Sequence, residues 1–144
     1  VIHTKSTPHD HPGYRALDTL LGEADVVVVL VPLTPETHHL VNAERLARMK
    51  RGAFFINVAR GKVMDEAAVV DALRSGHLAG AAFDVFEEEP VVSEALLAMD
   101  QVVLAPHIGG ATREQRRRAR LEASDETARF LRGETRRFAV ELAL

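Results

Sequence analysis

The run "ADVVVVLVP", Ala24 to Pro32, constrains the fold more than any other stretch of this chain. Its core of valines and one leucine favours extended backbone, and the lack of alternating polar positions predicts a strand buried on both faces of a parallel sheet. Pro32 stops it. The same unit recurs as "AFFINV", "LAGAAFDV" and "QVVLAP". Between these runs lie segments with helical spacing and end signals. Tyr14 to Leu21 predicts a short helix ended at Gly22. Asn42 can cap "AERLARMK" ahead of Gly52, Asp65 can cap "EAAVVDALRS" ahead of Gly76, and Ser93 can cap "EALLAM". "TREQ" has the capping-box form, with Thr112 and Gln115 opening a helix that runs to Leu131 before Gly133. Strands alternating with helices imply right-handed crossovers and an α/β, doubly wound parallel sheet.

Composition narrows the class. At 47 % hydrophobic and 27 % charged, 144 residues suit one globular domain. A net charge of -3 without a basic stripe gives no reason to expect nucleic acid, and no apolar run approaches membrane-spanning length. A cytoplasmic location is the default expectation. The chain has no cysteine, which removes disulfides and thiolate chemistry. It opens with Val-Ile-His, read as the tail of a strand, followed by the loop "KSTPHDHPG"; the expectation is a fragment of a longer protein.

In doubly wound sheets, ligands lie beyond the carboxyl ends of the strands. There this sequence puts Pro32 with "LTPET", Arg60 in "NVARG", Asp84 in "FDVFEEEP" and His107 in "LAPHIGGAT". Each alone has an ordinary reading, as a loop cation, a helix cap or a loop histidine. Together they fit hydride exchange between a nicotinamide and a carbonyl. An arginine fork grips a 2-oxo acid's carboxylate and polarises the keto oxygen. A protonated imidazole donates to the oxygen as charge builds there, and a neighbouring carboxylate keeps that imidazole charged. Arg60, His107 and one of Glu87, Glu88 and Glu89 fill these roles.

The segments "LVPLTPET", "INVARGKVMDEAAVVDAL", "GAAFDVFEEEP" and "LAPHIGGAT" resemble, in order and spacing, the D-isomer-specific 2-hydroxyacid dehydrogenases. The resemblance implies a Rossmann-like fold and the catalytic residues Arg60, His107 and Glu89, the last being the glutamate directly before proline. A glutamine there would have suggested the formate dehydrogenase relatives. It further implies that Val58, Ala59, Arg60 and Asp84 lie beside the nicotinamide, with Pro32 along the dinucleotide and His107, Gly109 and Gly110 closing over it. Where NAD-preferring members carry an aspartate, this chain has Lys5, Ser6 and Thr7. A cation and two hydroxyls suit a 2′-phosphate, so the resemblance implies NADP in preference to NAD. The opening is similar to that of the glyoxylate/hydroxypyruvate reductases.

The family's Gly-x-Gly-x-x-Gly segment does not occur in this sequence. The expectation is therefore a truncated sheet lacking its first strand and Gly-rich loop: residues 1–144 as a partial NAD(P)-binding domain with a C-terminal helix, without the substrate domain and with little activity alone. In the strand order 3-2-1-4-5-6, "VIHT" and "AFFINV" would flank the gap, to be closed by rearrangement, by homo-oligomerisation or by the missing N-terminal portion. Two other readings are a dinucleotide-binding corepressor-like regulator and an inactive remnant. His9, Asp10 and His11 offer no third metal ligand, so no metal is expected. His38 and His39 read as surface residues, and Arg116, Arg117, Arg118 and Arg120 as a solvated helix face.

Overall fold

The computed structural model describes residues 3, 10–135 and 137. They fall into two compact units, divided between His107 and Ile108. The first contains α1 (Leu17–Glu23), β1 (Val26–Val29), α2 (Ala43–Arg48), β2 (Ala53–Asn57), a 3-10 turn (Gly61–Val63), α3 (Glu66–Arg74), β3 (Leu78–Phe83), α4 (Glu94–Leu97) and β4 (Val102–Leu104); the second is built on α5 (Arg113–Leu131). The fold is α/β, with four parallel strands in the order β1-β2-β3-β4.

The register aligns the carboxyl ends. Val29 pairs with Asn57, Asn57 with Phe83 and Phe83 with Leu104, so four connections leave the sheet along one rim. Val27, Val29, Phe55 and Phe83 belong to one buried cluster with Leu46 of α2 and Val69, Val70 and Leu73 of α3. The Phe55 and Phe83 rings meet at 6.1 Å with a 58° tilt, within the range that aromatic pairs favour.

Several sequence expectations change here. The valine run is buried on one face only: Val26 and Val28 remain 50 % and 49 % exposed, and Phe54, which pairs with Val26, 49 %. Successive residues of a strand point to opposite faces, and the cluster with α2 and α3 gathers only the alternate set. "AFFINV" does not flank a gap, because β2 is bonded to β1 and β3; among the described residues the edge strands are β1 and β4. The strand expected at "VIHT" lies outside the described residues except for His3, which is in no strand.

The caps at Asn42, Asp65 and Thr112 form as expected. Their side-chain oxygens accept from the N–H of Arg45, Ala68 and Gln115 at 3.1, 3.0 and 3.1 Å. Ser93 makes no side-chain capping bond; its carbonyl accepts from Leu96 and Leu97 instead. Helix α1 runs through Gly22 to Glu23. Gly76 and Gly133 follow their helices at φ 66° and 72°, where a side chain would cost energy. Helix α5 buries no side chain, and i,i+4 pairs such as Arg118 with Glu122 at 2.7 Å line it. No described helix is long and apolar enough to cross a membrane.

Candidate functional site

Beyond the end of β2 the chain must turn sharply while keeping its polar groups satisfied. Asn57, fully buried, achieves this. Its Oδ1 accepts the Ala59 N–H and its Nδ2 donates to the Arg60 carbonyl, both at 3.0 Å. The turn holds Ala59 inward, 8 % exposed, and leaves Val58 42 % exposed and Arg60 exposed. The Arg60 guanidinium donates through Nη1 to the Ala59 carbonyl at 2.6 Å. The next residue, Gly61, is pressed against the neighbouring connection. A Cβ there would stand 1.8 Å from the Phe86 carbonyl oxygen and 2.5 Å from the Glu87 nitrogen, so no larger residue fits without moving backbone.

That neighbouring connection follows β3. Asp84, 7 % exposed, donates its N–H to the Asn57 carbonyl at 3.1 Å, and Val85 and Phe86 are buried, which pins the loop's start. Its far end carries Glu89, whose Oε1 accepts the Phe86 N–H at 3.0 Å. The Glu89–Pro90 peptide is cis.

The third connection leaves β4. Ala105 donates to the Phe83 carbonyl at 2.8 Å, and His107 folds back to donate its N–H to the Ala105 carbonyl at 3.0 Å. His107 sits at φ 53°, an unusual conformation for a residue with a side chain. Strain of this kind persists where surrounding contacts enforce it, and it concentrates at functional sites. The ring's Nδ1 meets Glu89 Oε2 at 2.8 Å. That leaves Nε2 as the ring nitrogen not engaged by Glu89. The Glu89 carboxyl is held below its ordinary value of 4.5, first by the His107 hydrogen bond, then by the Phe86 N–H, with the charges of His107 and Arg60 adding to the effect.

Three connections therefore bring Arg60, Glu89 and His107 to one rim, with Val58, Ala59 and Asp84 behind them. Pro32 lies exposed on the connection after β1, whose turn is held by Thr37 Oγ1 donating to the Pro32 carbonyl at 2.7 Å. Gly109 and Gly110 belong to the second unit. Lys5, Ser6, Thr7 and His9 lie outside the described residues. No group of three or more His, Asp or Glu among the described residues could hold a metal ion.

Sequence reasoning missed the residues that support this rim. His39 is not simply a surface residue: it stands at φ 49°, stacks on His38 at 4.1 Å, and its Nε2 meets Glu87 Oε1 at 2.7 Å. Only the pairing of distant loops reveals that contact. Asn57 and Gly61 did leave signals. A lone amide closing the apolar run "FFIN" must find partners if buried, and a glycine right after a candidate arginine can mark close backbone approach.

Comparison with known proteins identifies the family. Residues 2–109 match the family described as "D-isomer specific 2-hydroxyacid dehydrogenase, NAD binding domain". The chain is 59 % identical over 99 residues to a glyoxylate reductase of Thermococcus onnurineus, covering 69 % of this chain and 30 % of that protein. It is 48 % identical over 139 residues to a glyoxylate/hydroxypyruvate reductase B of Erwinia tasmaniensis, covering 96 % of this chain and 43 % of the relative. The chain thus spans less than half the length of either. Among solved structures, a D-isomer specific 2-hydroxyacid dehydrogenase from Xanthobacter autotrophicus Py2, in complex with NADPH and MES, superposes with a TM-score of 0.77 at 48 % identity over 87 % of this chain and 51 % of that one. With three strand-end connections converging as they do and most of the chain matched, the protein belongs to the D-isomer specific 2-hydroxyacid dehydrogenase family, within its NAD-binding domain.

Proposed function

We propose that Arg60, Glu89 and His107 are the reacting end of an enzyme that transfers hydride between NAD(P)H and a small 2-oxo acid, reducing glyoxylate to the achiral glycolate or hydroxypyruvate to the 2-hydroxy acid of D configuration. The observation that carries this reading is the His107–Glu89 pair at 2.8 Å, on a carboxylate whose ionised form is also favoured by Arg60. An imidazole held this way has one nitrogen fixed and the other available for proton exchange, beside a cation suited to a carboxylate.

The residues present fit a nicotinamide dinucleotide. Val58 offers an exposed apolar side chain at the end of β2, next to the polar backbone of the turn, a mixed surface that suits a planar amide-bearing ring. Val58, Ala59, Arg60 and Asp84 would hold the nicotinamide end, with Pro32 along the dinucleotide. When bound, this cofactor supplies the hydride. The chain's own residues do the rest. The Arg60 fork binds the substrate carboxylate and draws electron density toward the keto oxygen. His107 gives that oxygen a proton from Nε2 as hydride reaches the carbon, and takes it back in the reverse direction. Glu89 holds the ring through Nδ1. Lys5, Ser6 and Thr7 favour NADP(H), since a cation and two hydroxyls can meet a 2′-phosphate.

The test is calorimetric titration of the chain with NADPH and NADH, followed by glyoxylate-dependent NADPH oxidation. NADPH is expected to bind more tightly. Replacing the general acid, His107→Gln, is expected to slow any turnover by about 10²–10⁴-fold. Equal affinity for both dinucleotides would remove the NADP preference. Failure to bind either would overturn the reading.

A further inference from the structure

Glu89 must be held still if it is to hold His107, yet the loop that carries it is exposed from Glu88 to Val91. Its order has to come from the loop's first half. There Glu87 makes three contacts. Its Oε1 meets His39 Nε2 at 2.7 Å, and its Oε2 accepts the Glu66 N–H in the first turn of α3 at 3.1 Å. Its own N–H donates to Glu66 Oε2 at 3.2 Å. Two glutamates therefore bind each other's backbone reciprocally, and a histidine closes the set. His39 is itself anchored, because its N–H donates to the Lys62 carbonyl at 2.9 Å. Lys62 in turn reaches Glu88 Oε1 at 3.1 Å.

These contacts converge on the place where the Arg60 turn and the Glu89 loop touch. Gly61 has the Phe86 and Glu87 backbone directly against it, and the Phe86 N–H holds Glu89 Oε1. We infer that Glu87 is a positioning residue: through His39 and the Glu66 amide it clamps the Glu89 loop onto the Arg60 turn, so that one knot fixes the anion and the cation of the site relative to each other. The functional importance of that positioning rests on the role proposed above for Glu89; the clamp itself does not.

The alternative is that Glu87 acts only through its charge, and the two roles predict opposite signs. Removing a nearby negative charge stabilises the ionised form of Glu89 and lowers its titration midpoint. Removing the clamp withdraws the Phe86 N–H and loosens the His107 contact, which raises the midpoint toward the ordinary carboxyl value. The groups facing Glu89 in this reckoning are His107 and Arg60; those around Glu87 are His39, Glu66, Glu88 and Lys62.

The experiment is a ¹³C NMR pH titration of glutamate side-chain carboxyls in the whole chain, with the Glu89 signal assigned by its loss in Glu89→Gln. In Glu87→Ala the Glu89 midpoint is expected to shift upward. Glu87→Gln keeps the shape without the charge, with its amide oxygen still accepting the Glu66 N–H and its NH₂ donating to His39 Nε2 in the accepting tautomer, and is expected to show no upward shift. A folded Glu87→Ala whose Glu89 midpoint falls or stays overturns the inference. Should Glu87→Ala fail to fold, His39→Ala decides: a smaller upward shift supports the clamp, and no upward shift overturns it. The titration needs no cofactor, so it stands apart from the NADPH measurement. An upward shift in a chain that binds no dinucleotide would keep the clamp and remove the proposed function.

Discussion

Two parts of one sheet are finished in opposite ways. Along the rim formed by the ends of β2, β3 and β4, polar groups from distant segments secure one another: Asn57 inside the Arg60 turn, Phe86 on Glu89, Glu89 on His107, and Glu66 with His39 on Glu87. Along β1, the outer ladder edge has no paired strand among the described residues, and Val26 and Val28 stay half exposed. An apolar groove of about 380 Å³ runs beside that strand, with Leu17, Leu20 and Leu30 in its lining. The rim resists movement because these polar groups hold one another in fixed pairs. The edge invites association because its outer backbone donors and acceptors have no strand partner among the described residues.

The sharpest way to break this contrast is Gly61→Ala. A methyl 1.8 Å from a backbone oxygen cannot be absorbed by a side-chain rotation, so the two connections must part. The expected loss of stability is about 3 kcal/mol or more, at the upper end for overpacking, read by urea denaturation. Next comes Asn57→Ala, which strips partners from the Ala59 N–H and the Arg60 carbonyl at a buried position. Its expected cost is roughly 2 kcal/mol, measured the same way. If either variant matched the parent, the rim would be no more tightly held than the edge.

The edge is addressed by Val28→Lys. A charge on an exposed β1 position is expected to change unfolding stability by less than about 1 kcal/mol. It is also expected to reduce concentration-dependent self-association in sedimentation velocity, since charged edge strands oppose pairing. Identical sedimentation of the two proteins would show that the valine edge is already protected.

The smallest effect concerns pH. The Glu89 carboxyl is held below its ordinary value, chiefly by the His107 bond. A lowered folded-state value means that the unfolded chain takes up this proton first as pH falls. Glu89 therefore contributes stability that is present above pH 4.5 and is lost as pH drops through the lowered value. Because the pair is partly exposed, the contribution is modest. Thermal melts of the parent and Glu89→Gln are expected to differ above that range and to converge below it.

Much of this molecule was legible in its sequence because the signals are local. An apolar run has one extended solution, and an Asn or Asp before a helical segment caps it whatever lies elsewhere, as Asn42 and Asp65 do. The strand ends followed from these elements, and with them the location of Arg60, Asp84, Glu89 and His107. Ser93 failed as a cap because a nearby carbonyl arrangement satisfied the first turn without its hydroxyl.

The sequence by itself determined the alternation of strands and helices and the residue types delivered to one rim. Both depend on interactions within a few residues. Only the tertiary structure decided which strands form the edges, which face of the valine run is covered, and that His39, Glu66, Glu87 and Gly61 tie the site together. Those facts depend on contacts between segments separated by up to 48 positions, as for His39 and Glu87, and spacing along the chain does not encode which of many apolar runs or acidic residues will meet across space.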